Sequence, residues 1–352
     1  METAMDLDQF TKALPKAELH LHLAGAVKAD TFLKLARKNG VALPQFGEAD
    51  ELYRYDNLVD FLQIYDLVAR SVVSADDFHL ITYGALAHVA NAGGRYVEFF
   101  FSPQVHQDAG VSYQTMFSGI LKAMDDAETD FGLVSRLIPA INRELTIDRA
   151  FEFLDLVLPF RSDKVIGIGL DYDEEPFPPA PFKAVYDRAK KAGMRLTAHA
   201  GEGGPAANVR DALDLLSVER IDHGYRVIED AGLVARCIDE GIAFTVCPSS
   251  TVILTHWRDL TAADHPIRTM LDAGLKLVVD TDDPPMLQTD LAKEYRLLAE
   301  TMALDRGTLA QLALNSLDAA WLDDSTKRDW RASWSAEIDR LLARAEQSST
   351  NS

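Results

Sequence analysis

The sequence predicts an α/β fold, a parallel (β/α)8 barrel with extra helices after the first strand and at the C-terminus. Three observations predict it. Eight short β-rich runs alternate with longer segments whose apolar residues recur at helical spacing. The polar residues that interrupt those runs fall at or just past their C-terminal ends, where a barrel gathers its functional groups. The chain of 352 residues, 47% of them hydrophobic, is long enough to bury one large core. An open doubly wound sheet is the other architecture such alternation allows.

The first run, "AELHLHL" (17–23), alternates strictly. In an extended strand Leu19, Leu21 and Leu23 share one face, and His20 and His22 share the other. The interval from 24 to 95 is too long for one crossover. It holds helical patterns such as "TFLKLARKNG" and "DNLVDFLQIYDLVARS", read as extra helices capping the barrel mouth. The next strands are "YVEFFF" (96–101), "VSRLIPAIN" (134–142) and "VIGIGLDY" (165–172), the last carrying Gly169 and Asp171. "RLTAHAG" (195–201) brings His199, with Glu202 just beyond it, and "RIDHGY" (220–225) brings His223. "AFTVCPS" (243–249) and "KLVVDTD" (276–282) complete the set, the last ending on Asp282 with Asp283 next. Between them lie amphipathic stretches such as "PFKAVYDRAKKAG" and "NVRDALDLLSV", with Gly193 and Gly274 where helices end. Further helices follow in "LAKEYRLLAETMAL", "RGTLAQLALNSLDAAW" and the charged 324–346 pattern. The chain therefore reads as one domain over 1–345, with a polar tail over 346–352 expected to lack ordered structure.

Composition narrows the partners. The formal net charge of −20 repels phosphate backbones and anionic lipids, so neither nucleic acid nor a membrane is expected as partner. Two cysteines, Cys237 and Cys247, make neither a disulfide framework nor a Cys-rich metal site. The start "METAMDLDQFTKALPK" is acidic and lacks an apolar core, so a cytoplasmic location is expected. Oligomeric state is left open.

Two imidazoles on one buried strand face need partners if neutral and repel one another if charged. Metal binding suits His20 and His22 better. With His199 and Asp282 they form a set of three nitrogens and one oxygen credible for one Zn²⁺ per subunit, with a position left for water. Glu202 is placed to move protons beside such a site. The paired acids of "TDDPP" need a cation or donors to be held after the apolar "KLVV". The chain lacks an HExxH helix, a phosphate-binding P-loop, and the PCxxC site of cytidine-type deaminases.

Taken together, "ELHLHLAGA", "YVEFFFSPQVH", "GIGLD", "TAHAGE", "IDHG", "TVCPSS" and "TDDP" resemble the adenosine/adenine deaminase family of the amidohydrolase superfamily, over nearly the whole chain. The resemblance implies a TIM barrel, one zinc and hydrolysis of a purine 6-amino group. It implies His20, His22, His199 and Asp282 as zinc ligands and Glu202 as the donor of a proton to purine N1. It further implies His223 as the group that orients and deprotonates the attacking water, and Asp283 as the holder of N7.

Departures from the family pattern bear on the substrate. Nucleoside-accepting relatives carry an acid where this chain has Ala24, and glycine where it has Glu174; adenine-type relatives share the glutamate. A carboxylate at 174 can accept the N9–H of a free base, whereas a nucleoside has a glycosidic bond there. Glu174, Asp171, Gly169 and Asp283 are thus expected to bind substrate, a 6-aminopurine free base. The absent acid at Ala24 is read as room for an N6-substituted adenine. Adenosine is the alternative substrate, and a non-catalytic purine-binding barrel the more distant alternative.

Overall fold

The computed structural model describes residues 5–349. Eight strands form one sheet in strict chain order: β1 (Lys16–His22), β2 (Gly94–Phe101), β3 (Val134–Asn142), β4 (Gly167–Asp171), β5 (Arg195–Ala200), β6 (Arg220–His223), β7 (Ala243–Val246) and β8 (Lys276–Val279). Every neighbouring pair from β1 to β8 is parallel. All eight strands lie where the alternation of the sequence puts them. Strand ends agree to within two residues except in two: the backbone leaves β7 at Cys247 to start the helix Pro248–Leu254, and it leaves β8 before Asp280.

The sheet closes by joining β8 to β1. Leu21 and Asp282 form a parallel bridge; His22 N donates to Asp282 O (2.8 Å) and Asp282 N donates to His20 O (2.9 Å). Side chains continue the join below. The Asp280 carboxylate accepts from Leu19 N (2.6 Å), and Glu18 accepts from Thr281 N (2.9 Å) and Thr281 Oγ1 (3.1 Å). Backbone groups left unpaired by the short β8 are satisfied in this way.

Three helices fill the long interval before β2: Ala29–Asn39, Leu58–Arg70 and Ala75–Asn91. In Leu58–Arg70 the residues Leu58, Phe61, Leu62 and Tyr65 recur at i, i+3, i+4 and i+7, so they share one face, and that face lies over the barrel mouth. Asn57 starts the helix by accepting from Asp60 N (3.0 Å). After β8 come Leu291–Met302, Arg306–Ala319 and Asp324–Ser349. The last helix runs on to Ser349, so 346–349 are helical rather than the unstructured tail that their polar composition suggests; 350–352 lie outside the described residues. Among the described residues no helix is long and apolar enough to cross a membrane.

Inside the barrel, below the mouth, Arg220 Nη1 donates to Glu98 Oε2 (2.6 Å), with both side chains almost wholly buried. The Arg220 guanidinium lies 4.4 Å from the Trp321 ring centre, and Glu98 also accepts from Tyr96 Oη (2.7 Å). Removing one member strands a buried charge. Arg220→Ala is expected to destabilise the fold by about 3–5 kcal/mol, read as a lowered denaturant midpoint in chemical unfolding.

Candidate active site

The C-terminal ends of β1, β5 and β8 bring four ligand atoms to one point. His20 Nε2 lies 3.3 Å from His22 Nε2, and His22 Nε2 lies 3.1 Å from His199 Nε2. Asp282 Oδ1 lies 3.3 Å from His20 Nε2 and 3.4 Å from His22 Nε2. Ligands at 2.0–2.1 Å from one tetrahedral ion would sit about 3.3 Å apart, the spacing of this cluster. The protonation states agree. Burial pushes the His20 imidazole down to about 3 and His22 to about 4, and takes His199 well below its ordinary value. Burial opposes ionisation of Asp282, yet the His20 ring beside it holds its carboxyl well below the usual range. Neutral imidazoles and an ionised carboxylate are the forms that ligate a metal. Without a cation, three lone pairs and an anion would face one another at contact distance.

The three imidazoles differ in what lies behind them. His20 Nδ1 pairs with Thr245 Oγ1 (2.8 Å), and that hydroxyl pairs in turn with Asp222 Oδ1 (3.3 Å). His199 Nδ1 lies 3.7 Å from Asp222 Oδ2, which accepts from Thr197 Oγ1 (2.8 Å). The Thr245 hydroxyl on the far nitrogen of His20 fixes its tautomer and ring angle, leaving Nε2 free to ligate, whereas His199 Nδ1 is buried without a hydrogen-bond partner, with the Asp222 carboxylate near it. The His22 ring stacks on Phe100, centroids 5.0 Å apart. Phe100 in turn needs Gly169: a Cβ at that position would come within 2.9 Å of the Phe100 ring. Gly169, expected to touch substrate, therefore acts as a packing glycine behind a metal ligand and does not line the cleft.

Glu202, His223, Asp283 and Asp171 surround the ligand cluster. His223 Nε2 sits 3.7 Å from Glu202 Oε2 and 3.9 Å from Asp282 Oδ2, and its Nδ1 pairs with Tyr225 Oη (3.3 Å). Burial pushes the Glu202 carboxyl up to about 7, against the pull of His223. Burial, joined by the neighbouring Asp282, carries Asp283 well above the usual carboxylate range. Asp283 Oδ1 is buried without a hydrogen-bond partner, and it occupies space that a side chain at Gly25 would fill: a Cβ there would lie 1.7 Å away. Asp171 accepts from Ser102 Oγ on Oδ2, its Oδ1 is buried and unpaired, and burial pushes it up to about 7. The roof is the Leu58, Phe61, Leu62 and Tyr65 face together with Tyr172 and Leu254. Tyr172 Oη ties this roof to the end of β4 by donating to Asp66 Oδ1 (2.9 Å).

Glu174 is not where a substrate reader would be. Its carboxylate accepts from Gly201 N (2.7 Å), Glu202 N (3.0 Å), Gly204 N (3.0 Å) and Asn208 Nδ2 (2.8 Å). Those four bonds consume its lone pairs, and it does not line the cleft. It holds the turn that carries Glu202. Ala24 is buried and is not among the residues that line the cleft.

Two residues escaped the sequence reading. Arg143, buried at the turn after β3, donates to His199 O (2.6 Å), and its charge faces Glu174, Asp171 and Glu202. Ser102, at the end of β2, was visible only as part of "FSPQVH". An arginine and a serine at strand ends were the available signals, too common on their own to stand out.

The chain is similar to known proteins along nearly its whole length. The sequence profile described as Adenosine deaminase matches residues 15–334. An adenine deaminase of Hahella chejuensis is 39% identical over 344 residues, 97% of this chain and 98% of its own. One of Sphingopyxis alaskensis is 41% identical over 321 residues, 90% of this chain and 93% of its own. Among solved structures, an amidohydrolase of Burkhoderia ambifaria with bound Zn has a TM-score of 0.92 at 39% identity, covering 99% of this chain and 96% of its own. An adenine deaminase of Arthrobacter aurescens has a TM-score of 0.88 at 36% identity, covering 94% and 100%.

Because Glu174 holds the turn through backbone N–H groups, Glu174→Ala leaves three buried donors without an acceptor. Local protection at Gly201, Glu202 and Gly204 should fall by about 1–3 kcal/mol, an amide exchange about ten- to a hundredfold faster, with metal content unchanged.

Proposed function

Since this chain belongs to the adenosine deaminase family, we propose that it is a zinc-dependent adenine deaminase, which exchanges the 6-amino group of the free base for oxygen and releases ammonia. The observation that carries this reading is the four-atom cluster of His20, His22, His199 and Asp282, with Glu202, His223 and Asp283 around it. Zinc held by those four residues supplies the Lewis acidity that makes water a usable nucleophile near neutral pH.

The remaining work falls to the protein's own side chains. His223, with Nε2 between Glu202 and Asp282, is placed to orient the attacking water and accept its proton. Attack makes C6 tetrahedral and pushes electron density onto N1. Glu202, still protonated near neutrality, supplies the proton that N1 then needs. Asp283 keeps its own proton, so its unpaired oxygen can donate to the N7 lone pair and fix the ring in plane. Return of a proton to the amino group lets ammonia leave.

The cleft favours a bare base. Its roof is built mainly of Leu58, Phe61, Leu62, Tyr65 and Leu254, which offer a ribose little to bond, and among the described residues no lysine or arginine lines the cleft to pair with a phosphate. Adenosine deamination is the competing reading. Comparison of ammonia release from adenine and adenosine by the zinc-loaded protein separates the two; faster turnover of adenosine overturns the free-base assignment.

Glu202→Gln should retain zinc and lose about 10²–10⁴-fold in kcat, the usual worth of one general acid. The wild-type rate should fall as pH rises through about 7, because the proton that Glu202 donates is lost there. That alkaline fall should vanish in the glutamine variant.

A further inference from the structure

The order of groups around the barrel mouth matches the order of atoms around a purine. His223 ends β6, Glu202 follows β5, Asp171 ends β4, Ser102 follows β2, and Asp283 follows β8 next to Gly25 of the β1 turn. Around adenine the sequence of positions is C6, N1, C2, N3, N9, C8 and N7. With C6 at the metal cluster, N1 at Glu202 and N7 at Asp283, the ring has no rotation left. Its N3–N9 edge then faces the arc from β4 to β1.

On that arc Asp171 presents a polar atom in need of a partner. The residue is 2% exposed and lines the cleft. Its Oδ2 is taken by the Ser102 hydroxyl, while Oδ1 is buried with no hydrogen-bond partner. Tyr172 beside it cannot serve, because its hydroxyl is committed to Asp66. Burial pushes the Asp171 carboxyl up to about 7, and the Ser102 hydrogen bond and the Arg143 guanidinium behind it pull the other way, toward the ionised form that accepts a hydrogen bond.

We infer that Asp171, oriented by Ser102, accepts the N9–H of the bound base and is the residue that selects free bases over N9-substituted purines. This inference rests on the deaminase reading given above. Adenine offers a donor at N9, so the unpaired oxygen is satisfied on binding. A substituent at N9 removes the donor and leaves a buried carboxylate oxygen against carbon, an arrangement that binding sites reject strongly. The pair Asp171 and Asp283 thus reads opposite features of one five-membered ring: a hydrogen at N9 and a lone pair at N7.

The test compares adenine with 9-methyladenine, which differs only at the atom in question, using zinc-loaded wild type, Asp171→Asn and Ser102→Ala. Wild type should prefer adenine by about 10⁴-fold in kcat/KM. In Asp171→Asn the value for adenine should fall by about 10²–10³-fold while that for 9-methyladenine changes little, so the preference collapses with zinc still bound. Ser102→Ala, which leaves the carboxylate in place but unanchored, should lower the preference about tenfold, and it carries the test if the asparagine variant does not fold. A wild type that accepts both bases equally overturns the assignment while leaving the deaminase intact. So does a variant that loses both activities in proportion and keeps the ratio. A wild type inactive on adenine overturns the parent reading instead, and this inference with it.

Discussion

The active site depends on how the barrel closes. A ring of parallel strands needs its last strand bonded to its first, and here that join is short. Two backbone hydrogen bonds link Asp282 to His20 and His22, and the Glu18 and Asp280 carboxylates extend the join below. Three of the four metal ligands are therefore placed by the same bonds that close the fold. Only His199, from β5, reaches the cluster from across the barrel. Closure and ligation cannot be varied independently in such an arrangement.

A second constraint is electrostatic. The mouth gathers Asp171, Glu202, Asp282 and Asp283 within one small cleft, in a chain that is already strongly acidic. Such a group tolerates burial only if its members take different protonation states and different partners. The structure separates them by neighbours: imidazoles for Asp282, a serine and a nearby arginine for Asp171, and an adjacent carboxylate for Asp283. Arg143 compensates part of this charge from behind the wall, without touching the cleft. The result is acids and bases assigned by environment rather than by residue type.

Much of this was legible in the sequence, and the limits have physical causes. The strand alternation set out the eight strands, because a buried parallel strand leaves a short apolar run whose polar exceptions are conspicuous. The residues His20, His22, His199 and Asp282 stood out for that reason, and they do converge. The setting of Glu174 is not legible in the sequence because its chemistry is local but its partners are not. Four donors 27 to 34 residues further along absorb its charge, and spacing carries no trace of them. Gly169 is ambiguous for a similar reason, since a glycine in a motif looks the same whether it admits a ligand or a phenylalanine ring. The helical course of 346–349 is not legible because no apolar face announces it in the sequence.

The three residues Tyr172, His223 and Asp282 follow or end alternate strands β4, β6 and β8, and all have left-handed backbone angles, with φ of 70°, 66° and 64°. None is glycine, so each of these backbone twists costs about 1–3 kcal/mol that glycine would avoid. Three of the six non-glycine residues with such angles among the described residues thus lie on the rim that carries the site; the others, Ser217, Gln288 and Ala303, lie in connecting segments. Strain at His223 and Asp282 sits on groups the site uses, so relieving it with glycine would remove the very side chains that work at the mouth.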